Sequence, residues 1–377
     1  MPVKNGVVSW FIKNVIIPRR EIIENPGFII NTLSGKNQTT YLREYFLSEK
    51  LFELIENKIV NHFGDQGKQA LYSAGKKFGY IYASVSNFPT INDTTKKEFL
   101  DFAYFLVRYI ETFFGMNAKH EINLEKKIFT MSINDYIICR YNGHGYIMTD
   151  GGIAGIWAYA ISDNSIEGVQ LECQGRGNER CLIICAPIEI IKERTNFYFS
   201  ELELQKNKIE KTYKNLNEIR NANYSTNSLK DLINANFFQY NKGVLSYKNM
   251  RFFTCDSHLL YILENEILKL DNGEKILFNA CFDYGKFLRN TYGNKDYKKF
   301  LTNYFAALGF GDIIVLDSNN LKITSIFYPW TIFSEKSKFI IFRGIMSGFV
   351  SDCLDKRIEF KNFEINIGNY LTLTITI

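Results

Sequence analysis

The chain has 377 residues, 46% of them apolar and 23% charged, with a net charge of +5. That length exceeds the roughly 250–300 residues at which a single core stops growing, so two domains are expected, and the composition excludes a disordered or fibrous chain. The positive charges are spread along the chain, which argues against a nucleic-acid partner, and no run approaches the ~20 apolar residues of a membrane span.

The opening stretch, MPVKNGVVSWFIKNVIIPRR, pairs an early lysine with an apolar run. Charge follows that run and no small-residue cleavage site appears, so it reads as a strand rather than a signal peptide. The seven cysteines are an odd number without a secretory signal, which points to reduced thiols and a cytoplasmic chain.

In chain order, LFELIENKIVNHF carries apolar residues at 51, 52, 54, 55, 59, 60 and 63, a helical stripe. Leu71, Tyr72, Gly75, Phe78, Gly79 and Tyr82 mark a second helix, and KEFLDFAYFLVRYIETFFG a third. KIFTMSINDYIICRY alternates and is β-branched, so it reads as a strand that ends at Cys139. A helix over 152–161 precedes a hairpin, 167–174 and 180–186, turning at GRGN. Leu202, Ile209 and Leu216 then recur every seven residues among charges. They predict a long amphipathic helix, able to form a short coiled coil or to pack on its own domains. A polar linker, NANYSTNS, ends it.

Beyond the linker the chain repeats its first half. LFELIENKI is answered by LLYILENEI at 259–267, and ALYSAGKKFGY by ILFNACFDYGK at 276–286. The aromatic helix at 97–115 is answered at 297–311, GGIAGIWAYAISDNSIE by RGIMSGFVSDCLDKRIE at 343–359, and QGRGNERCLIIC by INIGNYLTLTIT. The same segments in the same order mean two copies of one unit. The expected fold class is therefore α+β: two tandem repeats, each an antiparallel sheet packed with helices, joined by a long helix. The boundaries fall at 1–190, 191–227 and 228–377.

With the repeat set out, the first copy resembles the 4-vinyl-reductase domain family. The residues that carry this are ALYSAGKKFG, then GGIAGIWAYAI, then GVQLECQGRGNERCLII. They follow the family's Gly-containing amphipathic helix, Gly-x-x-Gly helix and closing E-C-x-x-x-G-x-x-x-C hairpin. The match spans about 1–190; a degenerate one, without the cysteines, covers about 228–377. The family is similar in fold to the small subunits of the TRAPP tethering complex. It includes aromatic-sensing domains of bacterial transcription activators, proteins of bacteriochlorophyll synthesis and many archaeal proteins. The resemblance implies a dimer-forming or pseudo-dimeric fold, an enclosed pocket for a small hydrophobic molecule, a nearby zinc, and binding rather than catalysis. An archaeal chain is expected.

In the sensor relatives the zinc ligands are the two hairpin cysteines, here Cys173 and Cys181, an acidic residue three positions before the first, and an upstream cysteine. Here the acidic position is Gln170, a poor ligand, and no cysteine lies just upstream of Gly152. Donors that can complete a site are His144, Cys185, Asp150 and Cys139, and the metal set chosen is Cys173, Cys181, His144 and Cys185, with zinc as the cofactor. Buried unliganded thiols, and a disulfide or redox chemistry, stay open as readings of the same cysteines. The expected pocket is lined by Tyr72, Phe78, Phe102, Phe105, Trp157 and Tyr159, with complete filling of the core by those rings as the alternative. In the second copy Phe278, Phe287, Phe300, Tyr304, Phe305 and Phe349 form the matching set.

No dinucleotide, phosphate-loop, nucleophile-elbow or His-Glu-x-x-His motif occurs, so an enzyme is not expected. GGIAG looks like a phosphate loop, yet the repeat answers it with GIMSG, which fits close helix packing better. The expected function is a sensor or regulatory module with a small hydrophobic ligand, giving its output through a protein partner. The alternative is a TRAPP-like scaffold that binds proteins and no ligand; a third reading is an accessory protein of cofactor metabolism.

Overall fold

The computed structural model describes residues 21–31, 42–198 and 228–377, except 138, 141, 242, 293–295, 318–320, 330–336 and 368–370, together with Trp10, Ile12 and Ile16. The strand expected at the N-terminus and most of the helix expected over 191–227 lie outside the described residues. Among those that are described, no helix is long and apolar enough to cross a membrane.

The first half runs β1 (Glu21–Ile22), β2 (Ile29–Asn31), β3 (Leu42–Ser48), α1 (Glu49–Phe63), α2 (Asp65–Val85), α3 (Lys96–Phe114), β4 (Met116–Asn123), β5 (Ile128–Asn134), α4 (Tyr146–Ile161), β6 (Ile166–Glu172), β7 (Cys181–Pro187) and the short α5 (Ile188–Ile191). Local chemistry sets several of these bounds. Ser48 caps α1 by accepting from the Lys50 amide, and Thr95 with Glu98 forms a capping box on α3. The buried stripe of α1 is Leu51, Phe52, Ile55, Ile59 and Val60, as its spacing predicts.

The second half continues with α6 (Leu229–Asn234), β8 (Gln239–Asn241), β9 (Val244–Tyr247), β10 (Met250–Asp256), α7 (His258–Ile267), α8 (Gly273–Tyr292) and α9 (Tyr297–Ala307). Then come β11 (Asp312–Asp317), β12 (Leu321–Ile326), α10 (Ile340–Cys353), β13 (Asn362–Ile367) and β14 (Leu371–Thr376). The fold is thus α+β with antiparallel sheets packed against helices. Each half closes its own four-stranded sheet, β4-β5-β7-β6 and β11-β12-β14-β13. The third sheet, β1-β2-β3-β10-β9-β8, is shared, because β3 pairs antiparallel with β10. The exchange continues in the helices: α1 packs on α8, and α2 on α7. One apolar cluster, including Phe46, Phe52, Phe253, Leu260 and Tyr304, runs across this seam.

Two local expectations are corrected. The helix expected over 152–161 begins at Tyr146, because the apolar run already starts at Ile147 and Met148 and is buried there. The strand expected over KIFTMSINDYIICRY stops at Asn134: Asp135 takes a left-handed backbone, φ 51°. Cys139 therefore sits in a turn, its amide donating to the Tyr136 carbonyl.

Glu264 shows how the second half holds together. Its buried carboxyl on α7 accepts from the Lys338 and Ile340 amides, both at 3.0 Å, where α10 begins. Burial outweighs these donors and pushes its pKa up to about 7, from 4.5. Between those values the folded chain keeps a proton that the unfolded chain has released, so this contribution falls as pH rises from about 4.5 to about 7. The loss is on the order of 3 kcal/mol. Urea titrations at pH 5 and pH 7.5 are expected to show it, and Glu264→Gln is expected to flatten that part of the profile; an unchanged profile in the variant would refute the assignment.

Candidate functional site

Three cysteines meet beneath the closing hairpin. Cys173 follows β6, Cys181 opens β7 opposite Ile133 of β5, and Cys139 comes from the turn after β5. All three are buried, and their Sγ atoms lie within 4.8 Å of one another. Cys139 Sγ and Cys181 Sγ are 3.2 Å apart.

The glycine-rich turn makes this approach possible. A Cβ on Gly175 would lie 2.1 Å from the Cys139 carbonyl and 2.4 Å from that of Asn142, so any side chain there would push the two loops apart. The Cys173 amide donates to Asn178 Oδ1 at 2.9 Å, which fastens the turn. The loop bearing Cys139 is held by charge from two directions. Arg140 binds both carboxylate oxygens of Glu49 on α1 at 3.0 Å, and Arg251 of β10 reaches Asp135 at 2.9 Å.

The thiols share protons unequally. Hydrogen bonds from Cys139 and then Cys181 hold Cys173 down, at about 3. Cys139 is raised well above its ordinary value, first as a donor to Cys173. The Cys139 hydrogen bond pulls Cys181 down, but Cys173 and burial outweigh it and take Cys181 up to about 11. The three thiols make a soft, buried and mutually hydrogen-bonded donor set that suits zinc or another thiophilic ion. Tetrahedral zinc with bonds of about 2.3 Å spaces its sulfurs by roughly 3.7 Å, which these separations admit with small adjustment.

Among the residues proposed from sequence, the group takes in Cys173 and Cys181, with Cys139 joining them; His144 and Cys185 lie outside it. Cys185 is four residues further along β7, opposite Phe129 and Gly168, where burial raises its thiol. His144 donates its amide to Asn142 Oδ1, and burial lowers its ring's basicity. Gln170 reaches the cluster: its amide nitrogen is 3.6 Å from Cys139 Sγ, and its Oε1 is buried without a hydrogen-bond partner among the described residues. Glu56 accepts from Asn142 Nδ2, and its other oxygen is buried without a hydrogen-bond partner among the described residues. Nothing in the spacing of Glu56 relative to the cysteines signals this proximity.

Beside the cluster is a cavity of about 110 Å³. Its walls come from α2, α3 and α4, and from β10 and Leu259 across the seam. Tyr136, three residues before Cys139, forms part of the wall. A smaller void of about 30 Å³ shares Leu106, Ile110, Ile153 and Ile156 with it. Of the expected pocket residues, Phe78 lines the larger space, while Phe102 and Trp157 line the smaller. Tyr72 instead bonds Glu167, Phe105 packs on the Tyr109–Phe113 pair, and Tyr159 meets Tyr80 edge-on at 5.4 Å. In the second half the matching rings pack on each other: Phe300 stacks on Phe349 at 5.2 Å and on Tyr304 at 5.1 Å.

The acidic residues at the cavity come from the shared sheet. Glu44 of β3 is buried, and burial pushes its pKa up to about 7 against hydrogen bonds from Thr254 and Asn31. Neither Glu44 nor Asp256 was anticipated from sequence, because their place depends on β3 pairing with a strand more than 200 residues away.

No family model matches the chain, and no curated protein matches it. Among solved structures, the chain is similar to the phenol-responsive sensory domain of the transcription activator PoxR, crystallised with phenol. The two are 14% identical; the match covers 50% of this chain and 91% of that one, with a TM-score of 0.31.

Proposed function

We propose that this chain binds a small hydrophobic molecule in the cavity between α2, α3, α4 and β10, holds zinc at Cys139, Cys173 and Cys181, and acts by binding rather than by catalysis. The observation that carries this reading is a largely apolar cavity with Tyr136 on its wall, three residues before Cys139, one of three converging thiols. Dry apolar cavities of about 150 Å³ accept a single aromatic ring, so this space suits a ligand of that size. A ligand here touches both halves at once, and its binding energy would favour their association. On this reading the two halves are tandem copies forming an internal pseudo-dimer, and a change at the seam is what a protein partner would sense.

Native mass spectrometry beside elemental analysis tests the reading. The reduced, chelator-free protein is expected to carry about one zinc per chain, lost in Cys173→Ser. Small apolar ring compounds are expected to raise the unfolding temperature. Protein that holds neither metal nor ligand would transfer support to a scaffold role, with the thiols as core residues.

A further inference from the structure

The cavity has an acidic end that the hydrophobic reading leaves unused. Glu44 and Asp256 stand directly opposite each other across the β3–β10 pair. Each is 1% exposed, and both line the cavity. Two carboxyls facing one another across a strand pair do not both hold charge cheaply, because burial removes the water that would screen it. Glu44 is partly served: Oε1 accepts from Asn31 Nδ2 and Oε2 from Thr254 Oγ1, both at 2.6 Å. Asp256 is not. Its Oδ1 takes the amide and the ring Nδ1 of His258, while Oδ2 is buried with no hydrogen-bond partner among the described residues. Among the described residues no lysine, arginine or histidine side chain lines the cavity itself; the His258 ring reaches Asp256 from outside that lining.

We propose that the ligand is a small apolar amine, its hydrocarbon part seated between α2, α3 and α4 and its ammonium set between Glu44 and Asp256, donating to Asp256 Oδ2. This rests on reading the cavity as a ligand site and specifies what enters it. An ammonium offers three donors and one positive charge, so it serves the open acceptor and offsets the facing carboxylates together. A neutral alcohol or phenol offers one donor and brings no positive charge to the two carboxyls. An anion is repelled. The apolar walls select against polyamines and amino acids, whose second charge would have no partner.

Isothermal titration calorimetry on the full chain at pH 7, with benzylamine, benzyl alcohol and toluene, tests the proposal. Benzylamine is expected to bind at least about tenfold more tightly than benzyl alcohol, as a charge-assisted bond in a buried site requires. Glu44→Gln and Asp256→Asn are each expected to bring benzylamine to the level of the alcohol, with toluene unchanged. If toluene or the alcohol binds as well as the amine, the acidic end does not select the ligand, yet the cavity remains a ligand site. If none of the three binds, the cavity reading fails and the amine proposal with it. The comparison among ligands uses the unaltered protein, so it stands even where a variant does not fold.

Discussion

Lys76→Met is expected to destabilise the protein by about 3–5 kcal/mol, as the loss of one partner of a buried ion pair does. Lys76 on α2 and Glu167 on β6 are both fully buried, and Nζ lies 2.6 Å from Oε1. The same Nζ donates to the Ile166 carbonyl at 2.6 Å. Glu167 Oε2 accepts from the Tyr72 hydroxyl, which in turn accepts the Gly168 amide at 3.1 Å. Removing the ammonium therefore strands a carboxylate where water cannot reach it. Methionine matches the lysine stem in length, which separates the loss of charge from the loss of volume. Removing both charges, as Lys76→Met with Glu167→Leu, is expected to recover much of the loss, and urea unfolding of the four proteins in the cycle measures the coupling. A cost below about 1 kcal/mol for the single change would show that water reaches the pair. The network also has a place in the site: it ties α2, which carries Gly75 and Phe78 on the cavity wall, to β6, which ends beside Cys173.

Much of this architecture is legible where the signal is local. The apolar spacing of α1 and the small residues of α2 and α4 mark helices whose faces the structure uses. The closing hairpin, expected at 167–174 and 180–186, occurs as β6 and β7. The aromatic stripe of α3 is readable only in part. Phe102 and Leu106, four residues apart, share the face that meets the smaller void, while Phe105 belongs with Tyr109 and Phe113 on a different stripe. Choosing pocket rings by composition cannot separate those stripes. Cys139 illustrates the other limit. Its run reads as strand, and only the turn that begins at Asp135 swings the thiol under the hairpin. The acidic end of the cavity depends on pairing between the halves, and no local pattern encodes which strand becomes the neighbour of which.

Gly75→Ala is expected to cost more than about 2 kcal/mol even though alanine is the better helix former by about 1 kcal/mol. The helices α2 and α4 cross with backbone against backbone. A Cβ at Gly75 would lie 2.0 Å from the Met148 carbonyl oxygen and 2.9 Å from its carbon, and no side chain stands between to rotate away. The partner helix answers with Gly151 and Gly155, whose added Cβ atoms would come within 2.3 Å of the Tyr72 carbonyl and 2.1 Å of the Lys76 carbonyl. Relief therefore requires moving a whole helix, and α4 is nearly surrounded by buried contacts. Gly152 supplies the control. It lies on the same helix and lines the same cavity, but the nearest atom to its added Cβ is the Gly75 carbonyl oxygen at 3.9 Å, an ordinary contact. Gly152→Ala is thus expected to be neutral or stabilising by up to about 1 kcal/mol. Denaturation midpoints of the two variants, measured side by side, decide the matter. Equal tolerance would mean that the helices leave room for a methyl group at their crossing. A large split would show that the close crossing holds α2 and α4 at the separation that leaves the cavity its room.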